Sequence, residues 1–245
     1  MAKIGFKGQL TGSVGPVYYR TLNGSSCIQT KPGRGNVKQT EATRQSASDF
    51  GRASSMAKAI RESLFPVLQH HSDTAFYRRF AAKVNAATQD GNPQPKGSRS
   101  LIDGNLALLS HIDCNTASPF SEYCKGSPEL SLSDSNVLTI ALPELQVIES
   151  ITPYTDATDA ELAFLVTVIN PQTNTQSHAE LFKFAIPLSN ATIPARQWTT
   201  ASLPENQLIV VTAAVFYYRR NALVGLIGLN GKEFHPCEVV GVLRG

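Results

Sequence analysis

The chain has 245 residues, 42% of them apolar, which is enough for one large domain or two smaller ones and excludes a disordered tail. Its formal charge of +3 conceals a polarity: residues 1–100 carry 15 Lys+Arg against 5 Asp+Glu, and residues 101–245 carry 7 against 14. A basic front half of net +10 therefore joins an acidic back half of net −7, an asymmetry suited to head-to-tail association or to an acidic partner.

The opening, Met1 to Gly8, lacks the apolar run of a signal peptide, and nowhere do about 18 consecutive apolar residues occur. The expectation is synthesis in the cytoplasm and no membrane insertion, with a role outside the cell or on a particle only after release. A β-hairpin is expected next, from Gly12-Ser13-Val14-Gly15-Pro16-Val17-Tyr18-Tyr19-Arg20-Thr21-Leu22, through Asn23-Gly24, to Ser25-Ser26-Cys27-Ile28-Gln29-Thr30. Asn-Gly tolerates positive φ at both central positions of a type I′ turn, and Pro16, which donates no ladder bond, marks an edge strand or a strand start.

The run Lys31-Pro32-Gly33-Arg34-Gly35 breaks the pattern, and a helix follows from Thr40 to Leu64. Its apolar stripe is Phe50, Ala53, Ala57, Ile60 and Leu64, with Arg44, Arg52, Lys58 and Arg61 off that stripe. Pro66 ends it. A second helix is expected from Asp73, an N-cap residue type, to Thr88, with Phe76, Phe80, Val84 and Ala87 inside and Arg78, Arg79 and Lys83 beside them. The pair reads as a helical hairpin with one apolar seam and one basic surface.

Residues 90–100 read as a Gly/Pro-rich linker, and residues 101–112 fit helix and strand equally. Beyond residue 130 seven strands are expected: 137–142, 144–148, 162–169, 179–186, 208–218, 223–229 and 238–243, with turns at Asn170–Asn174 and Asn230–Lys232. The fold class is α+β, in two domains: 1–100, hairpin plus helices, and 101–245, an antiparallel β-sandwich of immunoglobulin or fibronectin type III character.

No residue set specifies a reaction. Gly225 to Lys232 departs from a phosphate-binding loop by five residues between Gly225 and Gly231 and by Glu233 after Lys232. The carboxylates of Asp156, Asp159 and Glu161 lack calcium-loop spacing, and His70, His71, His111 and His235 lack companion metal ligands. Cys27, Cys114, Cys124 and Cys237 form no CxxC; Cys114 and Cys124 bracket a short loop that oxidising conditions would close. No enzyme, metal or cofactor is expected.

Aromatic residues adjoin arginine three times, in Tyr18-Tyr19-Arg20, Tyr77-Arg78-Arg79-Phe80 and Tyr217-Tyr218-Arg219-Arg220. Tyr and Arg are enriched at protein interfaces, and the same mixture serves nucleic-acid surfaces. The run Gly12-x-Val14-Gly15-x-Val17-Tyr18-Tyr19-Arg20-x-Leu22-Asn23-Gly24, continued by Ile28-Gln29-x-Lys31-Pro32 and by Thr40-Glu41-Ala42-Thr43-x-Gln45 with Phe50, resembles a group of uncharacterised proteins from Bacteroidetes-type bacteria. The resemblance implies a glycine-rich N-terminal hairpin, a helical middle and a C-terminal β domain, and no catalytic residues.

The expected function is a self-assembling structural subunit of a filament, tube or phage-like particle, a homo-oligomer with itself or other assembly proteins as partners. Val14, Val17, Tyr18, Tyr19 and Arg20 are the expected contact, since an unpaired ladder invites a neighbouring strand. The first alternative is nucleic-acid binding through Arg44, Arg52, Lys58, Arg61, Arg78, Arg79 and Lys83. The second is a carbohydrate or adhesion module with Trp198 as its platform.

Overall fold

A computed structural model describes residues 2–5, 8–22, 25–31 and 39–245. The chain is α+β with antiparallel sheets throughout. It divides into two compact units, Met1–Arg44 and Gln45–Gly245, so the division falls at the start of the first long helix rather than near residue 100.

The N-terminal unit is a four-stranded antiparallel sheet in the order β1 (Lys3–Ile4), β2 (Leu10–Val14), β3 (Val17–Leu22), β4 (Ser25–Thr30). The expected hairpin thus gains a second turn. Val14 pairs with Val17 around Gly15-Pro16, and Gly15 sits at φ +54°, the left-handed position that a type II′ turn assigns to glycine. Pro16 lies in that turn immediately before β3, where its missing N–H costs no ladder bond while its carbonyl accepts from Lys31 N. Asn23-Gly24 and Pro32–Gly35 lie outside the described residues; the flanking strands pair from Leu22 with Ser25.

In the larger unit, α1 (Glu41–Ser63), the single turn α2 (Phe65–Leu68) and α3 (Phe76–Gln89) cover one face of a sheet. Pro66 sits in the first turn of α2, and the chain reverses through Gln69 and His70, both at positive φ. Asp73 lies upstream of α3, where its carboxylate accepts from Ala75 N at 2.8 Å and Thr116 N at 3.0 Å and pairs with Arg79 at 2.9 Å. The buried seam is Ala53, Met56, Ala57, Ile60 and Leu64 against Phe76, Phe80, Val84 and Ala87. Phe50 is excluded from it at 59% exposure.

Asp49 takes the inward position instead. Its carboxylate accepts from Gly97 N at 2.9 Å, Arg99 N at 3.0 Å and Arg52 at 2.7 Å, clasping the proline-rich loop to α1. Residues 101–109 form two 3₁₀ turns, Leu101–Asp103 and Leu106–Leu109, before β5 (Ile112–Asp113). Gly104 is required there: a Cβ would overlap the Ala87 carbonyl, which instead accepts from Asn105 N at 2.9 Å.

The remaining elements are α4 (Phe120–Tyr123), β6 (Glu129–Leu132), β7 (Val137–Leu142), β8 (Leu145–Gln146), α5 (Val147–Ser150), β9 (Asp159–Asn170), β10 (Thr175–Pro187), β11 (Thr192–Ile193), β12 (Arg196–Ser202), β13 (Leu208–Asn221), β14 (Gly225–Gly228) and β15 (Cys237–Arg244). The main sheet runs β10-β9-β13-β15-β5, with β14 extending β13; β12-β7-β6 and β11-β8 form smaller sheets. Strands β6 and β12 were absent from the sequence expectation, and residues 144–148 split into strand and helical turn.

Alternation along β9 divides the core. Ala163, Leu165 and Ile169 pack with the helices, while Leu162, Phe164, Val166 and Val168 pack with Leu138, Ile140 and Leu142 of β7. The central strands β9 and β13 are therefore buried on both faces, which is why Leu208 to Tyr217 is buried without interruption. The expected second domain is covered on one side by the helices assigned to the first, because their apolar seam needs the sheet.

Candidate self-association surface

The N-terminal sheet has the composition of half a core. Val14 pairs with Val17, Tyr19 with Ile28 and Val17 with Thr30, so Val14, Val17, Tyr19 and Ile28 share one face. Tyr18 pairs with Gln29 and Arg20 with Cys27, placing Tyr18 and Arg20 on the opposite face. The five expected contact residues are thus split three to two, and Ile28, which alternation from Ser26 to Thr30 would have flagged, joins the apolar three. Val14 is 58% and Ile28 67% exposed. A sheet that small gains stability by burying such a face, at about 25 cal/mol per Å² of apolar area removed from water.

Among the described residues, β4 pairs only with β3 and leaves one ladder edge unused. Six consecutive residues, Ser25 to Thr30, lie on that edge without charge or proline. Cys27 is only partly buried, whereas Cys114, Cys124 and Cys237 are buried.

The basic helical residues are differently arranged. Arg44 pairs with Glu41 at 3.0 Å, Arg52 with Asp49 at 2.7 Å, Lys58 with Glu62 at 3.8 Å and Arg79 with Asp73. Arg61 lies over the Tyr77 ring at 5.3 Å. Arg78 and Lys83 are exposed along α3. Of the seven candidate phosphate contacts, four are thus already matched to a carboxylate.

The other aromatic–arginine clusters dissolve into core and ion pairs. Tyr217 is fully buried, its hydroxyl donating to the Thr152 carbonyl at 2.7 Å, and burial pushes its phenol far up from its ordinary range. Arg219 pairs with Asp156 at 2.6 Å, Arg220 with Asp159 at 2.9 Å and Lys183 with Glu161 at 2.8 Å, so the acidic 156–161 segment is matched by cations. Trp198 packs against Phe164, Phe182 and Phe184 with ring centroids 5.4–6.5 Å apart, a packing role in place of an open platform. Gly225–Gly228 is a strand paired with β13, and Gly231 bridges Phe234 in a turn.

His235 is buried and fully bonded. Its Nε2 donates to the Val67 carbonyl at 2.8 Å, and its Nδ1, in that tautomer, accepts from Asn230 at 3.0 Å. Cys114 and Cys124 lie in different core clusters, on opposite faces of the main sheet. Cys114 instead neighbours Cys237 across β5 and β15, its N–H donating to the Cys237 carbonyl at 2.7 Å. Contact with Cys114, opposed by burial and helped by His235, holds the Cys237 thiol below its ordinary range, while burial pushes Cys124 up to about 11. No sequence signal predicts a pair 123 positions apart.

Among the described residues no group of three or more His, Cys, Asp or Glu has metal-binding geometry, and no helix is long and apolar enough to cross a membrane. No protein family, curated protein or solved structure matches the chain.

Proposed function

We propose that the chain is a non-enzymatic structural subunit that associates with copies of itself through its N-terminal sheet. The observation that carries this reading is the pairing of an apolar face, with Val14 and Ile28 exposed and Val17 and Tyr19 half-buried, with a strand edge that is unpaired among the described residues of the same small unit. Unit charge adds a second contact class: residues 1–44 hold 7 Lys+Arg against 1 Asp+Glu, and residues 45–245 hold 15 against 18. Opposite signs favour head-to-tail approach of the N-terminal unit of one copy to the larger unit of another. Filament, tube and particle subunits use such heterologous contacts.

The larger unit is read as the body that the sheet links. Its main sheet with β12-β7-β6 forms a sandwich-like half, and the immunoglobulin or fibronectin type III comparison is kept for that half alone.

Light scattering behind size exclusion, on nuclease-treated protein, tests the reading. The full chain is expected to form oligomers, and removal of residues 1–35 to leave a particle near one copy. An unchanged oligomeric state after that truncation overturns the proposal. A 26.4 kDa monomer that enlarges only with added DNA or RNA, with affinity falling steeply in salt, replaces it with polyanion binding through the helices.

A further inference from the structure

We infer that the contact made by the N-terminal sheet is an antiparallel pairing of β4 with β4 of a second copy about a two-fold axis at Ile28. The inference rests on the self-association reading and specifies its geometry. It comes from a contrast between two strand edges. β10, at the edge of the main sheet, is 13 residues long and carries the devices that prevent strand addition: Glu180 and Lys183 along its length, a register irregularity between Gln176 and His178, and Pro187 at its end. β4 carries none of them.

The β4 sequence is complementary to itself in one register. Antiparallel partners share a face, so the positions paired must differ by an even number. With Ile28 on the axis, Ile28 meets its own copy, Ser26 meets Thr30 and Cys27 meets Gln29. The two Ile28 side chains, exposed in one copy, then cover each other, and Ser–Thr and Cys–Gln pairs set no like charges opposite one another. The apolar faces of both sheets become continuous across eight strands. Moving the axis to Cys27 would set Ile28 opposite Ser26 and lose the apolar pair.

Electrostatics opposes this contact. Each N-terminal unit has net charge +6, so bringing two together is resisted at low ionic strength and eased by salt. Head-to-tail contact between units of opposite sign has the reverse dependence.

The test uses the full chain with Cys27→Ser combined with Ile28→Cys, and separately with Gln29→Cys, oxidised with diamide and read on a non-reducing gel. The other three cysteines are buried, so rapid cross-linking reports the introduced thiol. Facing positions lie roughly 4.5–5.5 Å apart between Cα atoms, within disulfide reach, whereas the position-29 thiols sit diagonally at roughly 7–8 Å. The expected result is a covalent dimer from Ile28→Cys formed on the order of tenfold faster than from Gln29→Cys, with a yield that rises with salt. Ile28→Lys should weaken dimerisation by on the order of tenfold, since it sets like charges face to face. Equal or no cross-linking in a protein that still oligomerises overturns the β4 pairing and leaves the self-association reading standing, as does a cross-link yield that falls with salt. A full chain that is monomeric at every concentration overturns both.

Discussion

The tripeptide Tyr-Tyr-Arg occurs on β3, as Tyr18-Tyr19-Arg20, and on β13, as Tyr217-Tyr218-Arg219, and the two copies meet opposite fates. On β13 the first tyrosine is fully buried among Tyr123, Tyr154 and Phe234, and the arginine is held by Asp156. On β3 Tyr18 is 42% exposed and Tyr19 is only half-buried. Identical residues on strands of the same type therefore report what packs above them, and the strand whose tyrosines are less enclosed is the one with surface left to bury.

The comparison breaks most visibly at the tyrosines. Tyr217→Ala removes a buried ring and leaves the Thr152 carbonyl without its donor, and is expected to cost about 3–5 kcal/mol in urea unfolding of the larger unit. Tyr19→Ala should leave that transition within about 0.5 kcal/mol and change the oligomer distribution instead. Equal destabilisation by both would show that the N-terminal sheet is cemented to the larger core.

Next in size is Asp49→Ala, expected to cost about 2–3 kcal/mol because it strands the N–H groups of Gly97 and Arg99 and takes the carboxylate from Arg52, whose guanidinium keeps only the Gly97 and Arg99 carbonyls. Burial acts to raise the Asp49 carboxyl, and the bonds from Gly97, Arg99 and Arg52 more than offset it, leaving the group below its ordinary range. Its stabilisation is therefore present above the unfolded carboxylate range and is lost as pH falls through the lowered folded value. Acid unfolding of Asp49→Ala should begin from a lower plateau and show a shallower slope below about pH 4.

Glu238 carries the opposite sign. Burial, partly countered by His111 at 3.5 Å and reinforced by Asp113 directly across the ladder, pushes its carboxyl up to about 7. The folded chain holds a proton there that the unfolded chain has lost above about pH 4.3, so stability falls as pH rises from there to about 7. Glu238→Gln should flatten that window and stabilise the protein at pH 8 by about 2 kcal/mol in thermal melts. A variant no more stable than the parent at pH 8 would remove Glu238 from the account.

The smallest effect belongs to Phe50→Ala. Because Phe50 lies outside the seam, urea unfolding should move by less than about 0.5 kcal/mol, against the 3–5 kcal/mol expected of a core phenylalanine.

Much of the fold was legible along the chain. The long helices begin and end within a few residues of expectation, since Ala53, Ala57, Ile60 and Phe76, Phe80, Val84 recur at helical spacing. β7, β9, β13 and β15 stand where apolar runs predicted them. Phe50 was misplaced because spacing alone gives it the same angular claim as Asp49, and only the backbone N–H groups of Gly97 and Arg99, 48 and 50 positions away, make a carboxylate the better inward residue. β12 was missed because Arg196 to Ser202 is polar, and its strand character comes from pairing with β7.

For the candidate surface, alternation was readable from Val14 to Thr30, but its division into an apolar and a polar face required the turn at Gly15-Pro16, which sets the register of β2 on β3. What the sequence determined by itself is local or additive: periodicity and breakers, set by residues within a few positions of one another, and the opposed charges of the two ends, which need only counting. Which sheet face the helices cover, which thiol meets which, and which strand edge is left open were decided only by tertiary structure, because those outcomes depend on pairings between residues up to more than a hundred positions apart.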